Sequence, residues 1–137
     1  MIKRVSTIFL MIFLLTSCFG CSSQNEVKSA SDLAGKTLEI SETHTISFDV
    51  NKKKSIKTSF AIRPTSGKLS VKYIEGTWSN LTLNLFDTKY EDFVQTCKLE
   101  KSGDCITFSN LSGEYSYCLE VINNSNTESS QITLCFS

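Results

Sequence analysis

Alternation of apolar and polar residues dominates this chain from residue 37 to its end. Apolar residues recur at every second position in 46–50 and 81–85, and again in 69–73, 106–108, 115–121 and 132–136; in 56–62 the same pattern is interrupted only by Thr58. A period of two is typical of β-strands that bury one face and expose the other. About seven to nine such strands, separated by polar turns, predict an all-β domain built as an antiparallel β-sandwich or jelly roll. No sustained helical period competes with this interpretation.

The strand pattern also suggests how the cysteines of this region pair. The region contains Cys97, Cys105, Cys118 and Cys135. If the last two strands form a hairpin with Val121 opposite Ile132, the same register places Cys118 opposite Cys135, close enough for a disulfide. We therefore expect two disulfides, Cys118–Cys135 and, by elimination, Cys97–Cys105. A metal site is the alternative, but the spacings contain no Cys-x-x-Cys pair.

The N-terminal segment, residues 1–17, has the features of a secretory signal. Lys3 and Arg4 precede an apolar run over 5–15, which is shorter than the roughly 20 residues that span a bilayer. The run ends in Leu15-Thr16-Ser17-Cys18, which resembles the lipobox of bacterial lipoproteins. The resemblance implies cleavage before Cys18, acylation of Cys18, and a membrane-anchored protein of the bacterial cell envelope whose body lies outside the cytoplasm. An ordinary signal peptide and an uncleaved anchor are the alternatives.

Residues 18–36 are polar and poor in large apolar side chains. Such a segment buries too little surface to offset its ordering entropy, so it predicts a flexible tether between the lipid and a β domain at 37–137. Cys21 lies in this tether as the odd cysteine, either free or bonded to another chain. Its role stays open at this point.

Several strand-like segments resemble a known module. Residues 111–121 contain Gly113-Glu114-Tyr115 and are similar to the Gly-x-Tyr strand of bacterial pre-peptidase C-terminal-like domains. Residues 46–50 and 81–87 look like earlier strands of that family. The resemblance covers about residues 40–137 and implies a β-sandwich of non-catalytic, accessory type. The chain departs from the family in its expected disulfides and in having no attached enzyme.

Charge and histidine content exclude several functional classes. Fourteen basic residues balance fourteen acidic ones, so the basic excess that usually grips nucleic acid is missing. His44 is the single histidine, and no Gly-x-Ser-x-Gly motif surrounds a serine. We therefore expect no enzyme activity and no cofactor; a hydrolase that uses His44 is the less favoured alternative.

Aromatic and acidic residues supply the candidate binding sites. Exposed aromatic rings stack on sugars or anchor protein partners, and the candidates are Tyr73, Trp78 and Tyr90. Trp78 lies between two strands, where the alternative is that it folds back onto the core. A weak calcium candidate, with a solvated loop as its alternative, is formed by Asp87, Glu91 and Asp92.

Together these features predict a non-catalytic, membrane-anchored envelope lipoprotein that binds a protein or a glycan. An inhibitor or immunity lipoprotein that acts on a secreted enzyme, such as a lysozyme, is the alternative. The sequence does not indicate the oligomeric state.

Overall fold

The computed structural model describes residues 26–137, and these form eleven short strands and one 3₁₀ turn. Along the chain they are β1 (Val27–Ser29), a 3₁₀ turn (Ala30–Leu33), β2 (Thr37–Glu39), β3 (His44–Asp49), β4 (Ser55–Lys57), β5 (Ala61–Arg63), β6 (Leu69–Glu75), β7 (Leu81–Asp87), β8 (Phe93–Leu99), β9 (Cys105–Phe108), β10 (Tyr117–Asn123) and β11 (Gln131–Phe136). The described part of the chain contains no helix with the length and apolar character needed to cross a bilayer.

The strands form two sheets that pack face to face. Sheet A has the order β1-β3-β11-β6-β9. Sheet B has the order β2-β5-β10-β7-β8, and β4 also pairs with β10. The expected β-sandwich is therefore present, with more strands than expected. Its outer faces lie on opposite sides of the domain.

The core lies between the sheets and follows the alternation seen in the sequence. In β7 and β10 every second residue is buried, and the residues between them are only partly covered. Within the core, the ring of Phe60 packs against those of Phe48 and Phe136, with centroids 6.2 and 6.3 Å apart. Burial of the apolar face therefore accounts for the strand register, because a slip of one residue would turn each buried face to solvent.

The sheets are mixed, whereas the sequence predicts antiparallel sheets. Two pairs run parallel: β1 with β3, and β2 with β5. β1 and the 3₁₀ turn also lie within residues 18–36, which the composition identifies as a flexible tether. Backbone pairing with β3, together with burial of Leu33, holds residues 27–33 against the sandwich. Backbone pairing of this kind leaves little signal in side-chain composition.

Both predicted disulfides are wrong, because Cys97, Cys105 and Cys118 are free thiols. The predicted hairpin between the last two strands does not form: β10 pairs with β7 in sheet B, and β11 pairs with β3 and β6 in sheet A. Cys118 and Cys135 both point away from the core, so they lie on opposite outer faces of a sandwich whose sheets are about 10 Å apart. Cys97 and Cys105 likewise belong to different sheets. The separation of Cys118 from Cys135 exceeds the reach of a disulfide, and Cys97 and Cys105 are both free thiols.

Candidate functional site

Two of the three aromatic residues expected to bind a ligand are core residues. Tyr73 is 0% exposed and Trp78 is 1% exposed. Neither ring offers a face to a ligand, and Trp78 adopts the alternative of folding back onto the core. Tyr90 remains accessible, at 58% exposure.

The hydroxyl of Tyr73 is buried without a hydrogen-bond partner. Burial raises the pKa of Tyr73 to about 12, and a backbone interaction with Trp78 opposes the shift. An unpaired buried hydroxyl is a cost to folding, so its removal is tolerated better than removal of a paired one.

We predict that Tyr73→Phe leaves the free energy of unfolding at pH 7 unchanged or raises it by up to about 1 kcal/mol. The folded state holds the Tyr73 proton to a higher pH than the unfolded chain does. The stabilisation of the folded state that comes from keeping Tyr73 protonated is therefore complete below pH 10, and it is lost as the pH rises towards about 12. Urea unfolding followed by circular dichroism at pH 7 and at pH 11 should show a smaller alkaline loss for the variant. Equal losses for both proteins would contradict this explanation.

The three acidic residues of the calcium candidate lie around the turn between β7 and β8. Asp87 is buried, and its Oδ1 accepts a hydrogen bond from the backbone N–H of Lys89 at 2.7 Å. Its own N–H donates to the carbonyl of Asp92 at 2.9 Å. Among residues 26–137, no group of three or more acidic, histidine or cysteine side chains is placed to hold a metal ion. Asp87 therefore acts as a turn residue that fixes the loop carrying Tyr90.

His44 lies at the start of β3, and its Nε2 is 3.2 Å from the carbonyl oxygen of Glu39. This contact is to the main chain and not to an acidic or hydroxyl side chain. It is a contact that a structural histidine makes at a strand end.

An aromatic patch on sheet B is the most distinctive exposed surface of the described residues. We define it as Phe86, Tyr90, Phe93 and Val94. Phe93 is 56% exposed and Val94 is 37% exposed, although both belong to β8. Large apolar side chains grouped on a surface mark an interaction site more often than scattered ones do.

The strand register builds this patch. Phe86 on β7 pairs with Phe93 on β8, and the pairing shifts between Leu85 and Phe86, which leaves Val94 as an extra residue in the edge strand. The Phe86 and Phe93 rings meet edge to face, with centroids 6.0 Å apart. Edge-to-face packing fixes the orientation of the two rings, so the exposed Phe93 is held in place before any partner arrives.

Two lysines stack on the patch. The Nζ atom of Lys57 lies 4.9 Å from the centre of the Phe86 ring, and the Nζ atom of Lys89 lies 5.0 Å from that of Tyr90. Cation–π contacts at exposed sites contribute about 0.5–1 kcal/mol each. The result is an apolar centre with charged residues at its edge.

A neighbouring loop extends the surface. Thr88 donates through both its N–H and its Oγ1 to the carbonyl of Ser116, at 3.1 and 2.9 Å. This contact brings the loop that carries Tyr115, which is 45% exposed, beside the turn that carries Tyr90. The alternation in the sequence placed Tyr115 inside the sandwich, but β10 begins only at Tyr117.

Cys118 lies beside Phe86 in the strand register. Burial, the largest influence, raises the pKa of the Cys118 thiol, while Lys57 acts to lower it. A raised pKa keeps this thiol protonated and makes it a poor nucleophile. Cys118 therefore contributes to packing beside the patch.

The sequence did not lead us to predict a site at Phe86, Phe93 and Val94, although two features of the sequence indicate it. Phe86 directly follows the buried series Leu81, Leu83 and Leu85, so it occupies the outward phase of that strand. Phe93 and Val94 are adjacent apolar residues, which an alternating strand cannot bury on one face.

Comparisons with known proteins identify no family for this chain. No family model matches it, and a search of curated proteins gives no match. Among solved structures, it is similar to the crystal structure of the pre-peptidase C-terminal domain of collagenase from Bacillus anthracis. That similarity has a TM-score of 0.29 and 12% sequence identity, and covers 85% of this chain and 98% of that domain. It is a weak resemblance, and no function is transferred from it.

Proposed function

We propose that this protein is a non-catalytic lipoprotein of the bacterial cell envelope that binds a protein partner through the aromatic patch. The observation that carries the proposal is the exposure of Phe93 and Val94 on β8, together with the exposure of Tyr90 in the turn that precedes this strand. Aromatic residues that lie at the centre of a surface and are framed by charges are typical anchors of protein interfaces.

A protein fits this surface better than a glycan does. Phe93 and Val94 carry no polar atom to pair with sugar hydroxyls, and hydrogen bonds to such hydroxyls fix a sugar in place. Trp78, the residue best suited to stack on a sugar ring, is buried. An apolar side chain of a protein partner could cover both Phe93 and Val94 without leaving polar groups unpaired.

The position of the patch also favours a protein partner. β8 is the last strand of sheet B, so one side of its backbone has no neighbouring strand within that sheet. A partner on the patch therefore also lies next to β8, which carries Phe93 and Val94. Such edges accept strands from other proteins.

The membrane anchor in this proposal is the lipid on Cys18, which lies outside the described residues. Acyl chains contribute about 0.8 kcal/mol for each buried methylene group, so a doubly acylated cysteine holds a small domain stably at a membrane. A binding domain held in this way acts on partners at or near the membrane surface.

The test is the double variant Tyr90→Ser/Phe93→Ser in the full-length protein. Loss of two interface anchors, each contributing about 2 kcal/mol, should weaken capture of the partner from native envelope extract by at least about 30-fold. Its melting temperature should stay close to that of the wild type, because both side chains are exposed.

Val27→Ser is the matched control, because Val27 is also 56% exposed but lies on β1 of sheet A. It should capture the same protein as the wild type. Equal capture by the double variant and the control would contradict the proposed site. If the wild type captures no protein but binds purified envelope glycans, and the double variant loses that binding, the partner is a glycan and not a protein.

A further inference from the structure

Two loops that cross from one sheet to the other enclose a small cavity at one end of the sandwich. Residues 50–54 join β3 to β4, and residues 124–130 join β10 to β11. The cavity between them has a volume of about 240 Å³ and is lined by Lys52, Lys53 and Lys54 on one side and by residues 123 and 125–129 on the other. It is smaller than the pockets of about 300–1,000 Å³ that hold drug-sized ligands, so it fits a small chemical group.

Hydrogen bonds fix both walls of the cavity. The N–H of Asn123 donates to the carbonyl of Lys54 at 2.8 Å, which ties the two loops together. The Oδ1 atom of Asn123 accepts from the N–H and the Oγ of Ser125, at 3.1 and 2.7 Å, and its Nδ2 donates to the carbonyl of Thr127 at 2.9 Å. Because Asn123 is itself buried, the loop is held in shape before any ligand arrives, which lowers the cost of binding.

The charges around the cavity favour an anion. Three lysines face one acidic residue, Glu128, so the lining carries a local charge of +2. Within residues 26–137, none of these four side chains forms an ion pair. Lys52 also has φ +61°, a conformation that glycine and asparagine adopt more readily, so the turn itself gives no reason for a lysine at this position.

We propose that this cavity binds the phosphate group of a phosphorylated sugar or polyol. A lysine ammonium group binds phosphate as a point charge, and a phosphate monoester carries a charge of about −1.5 to −2 at pH 7, which the local charge of the cavity matches. The exposed amide of Asn126 provides both donors and an acceptor for hydroxyl groups beside the phosphate.

A second cavity provides room for the hydroxylated part of this ligand. It has a volume of about 420 Å³, shares Ser129 with the first cavity, and is also lined by Thr77 and Ser130. Thr77 donates through its hydroxyl to the main-chain carbonyl of Glu128, which links the walls of the two cavities. Hydroxyl groups both donate and accept hydrogen bonds, so such a lining pairs with the hydroxyls of a sugar or polyol.

The phosphate site is distinct from the aromatic patch. On β10, Cys118 pairs with Phe86 at one end of the strand, and Asn123 pairs with Leu81 at the other. Five residues of strand span about 17 Å, so a protein on the patch leaves the cavity open. The proposal therefore depends neither on the partner of the patch nor on the membrane anchor.

The test is a titration of the full-length, isotope-labelled protein with glycerol phosphate, followed by NMR. We expect saturable shifts of the amide signals of residues 52–54 and 123–129, with a dissociation constant below about 1 mM that rises with salt concentration. Glycerol alone should give no shifts at residues 52–54. Shifts that do not saturate, or that spread over lysines throughout the chain, would overturn the proposal.

Variants of opposite charge test the electrostatic part of the proposal. Lys53→Gln/Lys54→Gln should weaken binding at least about 10-fold, because it removes two ammonium groups from the site. Glu128→Gln should strengthen binding by about 2- to 5-fold, since it removes a like charge and keeps the carbonyl that Thr77 contacts. The same changes in affinity from the control Lys36→Gln/Lys101→Gln, which alters the net charge equally, would contradict a local site.

Three further titrations define the ligand. Inorganic phosphate should bind more weakly than glycerol phosphate, and equal affinities would contradict the role of the second cavity. Glycerophosphoglycerol, a diester with one negative charge, separates two sources of the same chemistry. Tighter binding of the monoester indicates a small phosphorylated compound, and tighter binding of the diester indicates a polymer with phosphate in its backbone. Binding of neither ester would refute the proposal.

Discussion

Replacing Trp78 by alanine is expected to lower the free energy of unfolding by about 3–5 kcal/mol. Trp78 is among the largest fully buried side chains, and it packs between two sheets that cannot collapse far into the space it would leave. The loss combines the transfer energy of the ring with the cost of the remaining cavity. Urea unfolding followed by far-ultraviolet circular dichroism measures it, because the variant has no tryptophan fluorescence.

Tyr90→Ala is the matched control for this prediction. Tyr90 is an aromatic candidate from the same sequence pattern, but it is 58% exposed, so its loss should change stability by no more than about 0.5 kcal/mol. A stability loss for Tyr90→Ala as large as that for Trp78→Ala would show that the two rings are not placed as described.

Replacing Gly76 by alanine is expected to destabilise the domain by about 2–5 kcal/mol. Gly76 has φ +143°, a conformation that other residues rarely adopt. A Cβ atom at this position would lie 2.5 Å from the hydroxyl of Tyr73 and 2.7 Å from Cγ2 of Ile132. Both side chains are fully buried, so they can move only by disturbing the core, and overpacking costs about 1–3 kcal/mol in addition to the backbone strain.

Gly103→Ala separates these two contributions. Gly103 also has a positive φ, +98°, but nothing lies within 4 Å of the position that a Cβ atom would take there. Its alanine variant should therefore show the backbone strain alone, about 1–3 kcal/mol. If urea unfolding gives equal losses for the two variants, the close approach of Gly76 to Tyr73 does not contribute.

The buried face of each long strand was predictable from the sequence, because period-two alternation determines which residues face the core. The inward positions of β3, β7 and β11 follow this pattern. β8 was missed because its Phe93 and Val94 interrupt the alternation at the register shift opposite Phe86. The same irregularity that hides the strand also creates the aromatic patch.

Sheet partners were not predictable, because alternation does not indicate which strands lie side by side. β10 and β11 have matching patterns and lie close in sequence, yet they belong to different sheets. The expected Cys118–Cys135 pair was wrong for this reason. Local pattern likewise could not separate Trp78 from Tyr90, since both follow strands and only the packing of the two sheets distinguishes them.

The most direct test of the proposed function is site-specific photocrosslinking in the native envelope. A photoreactive phenylalanine analogue in place of Phe93 would sit at the centre of the aromatic patch. The same analogue in place of Ile74, which is 37% exposed on sheet A, provides the control. The proposal predicts a covalent adduct with one protein partner from position 93 and none from position 74. The same adduct from both positions, or an adduct from position 74 alone, would contradict it.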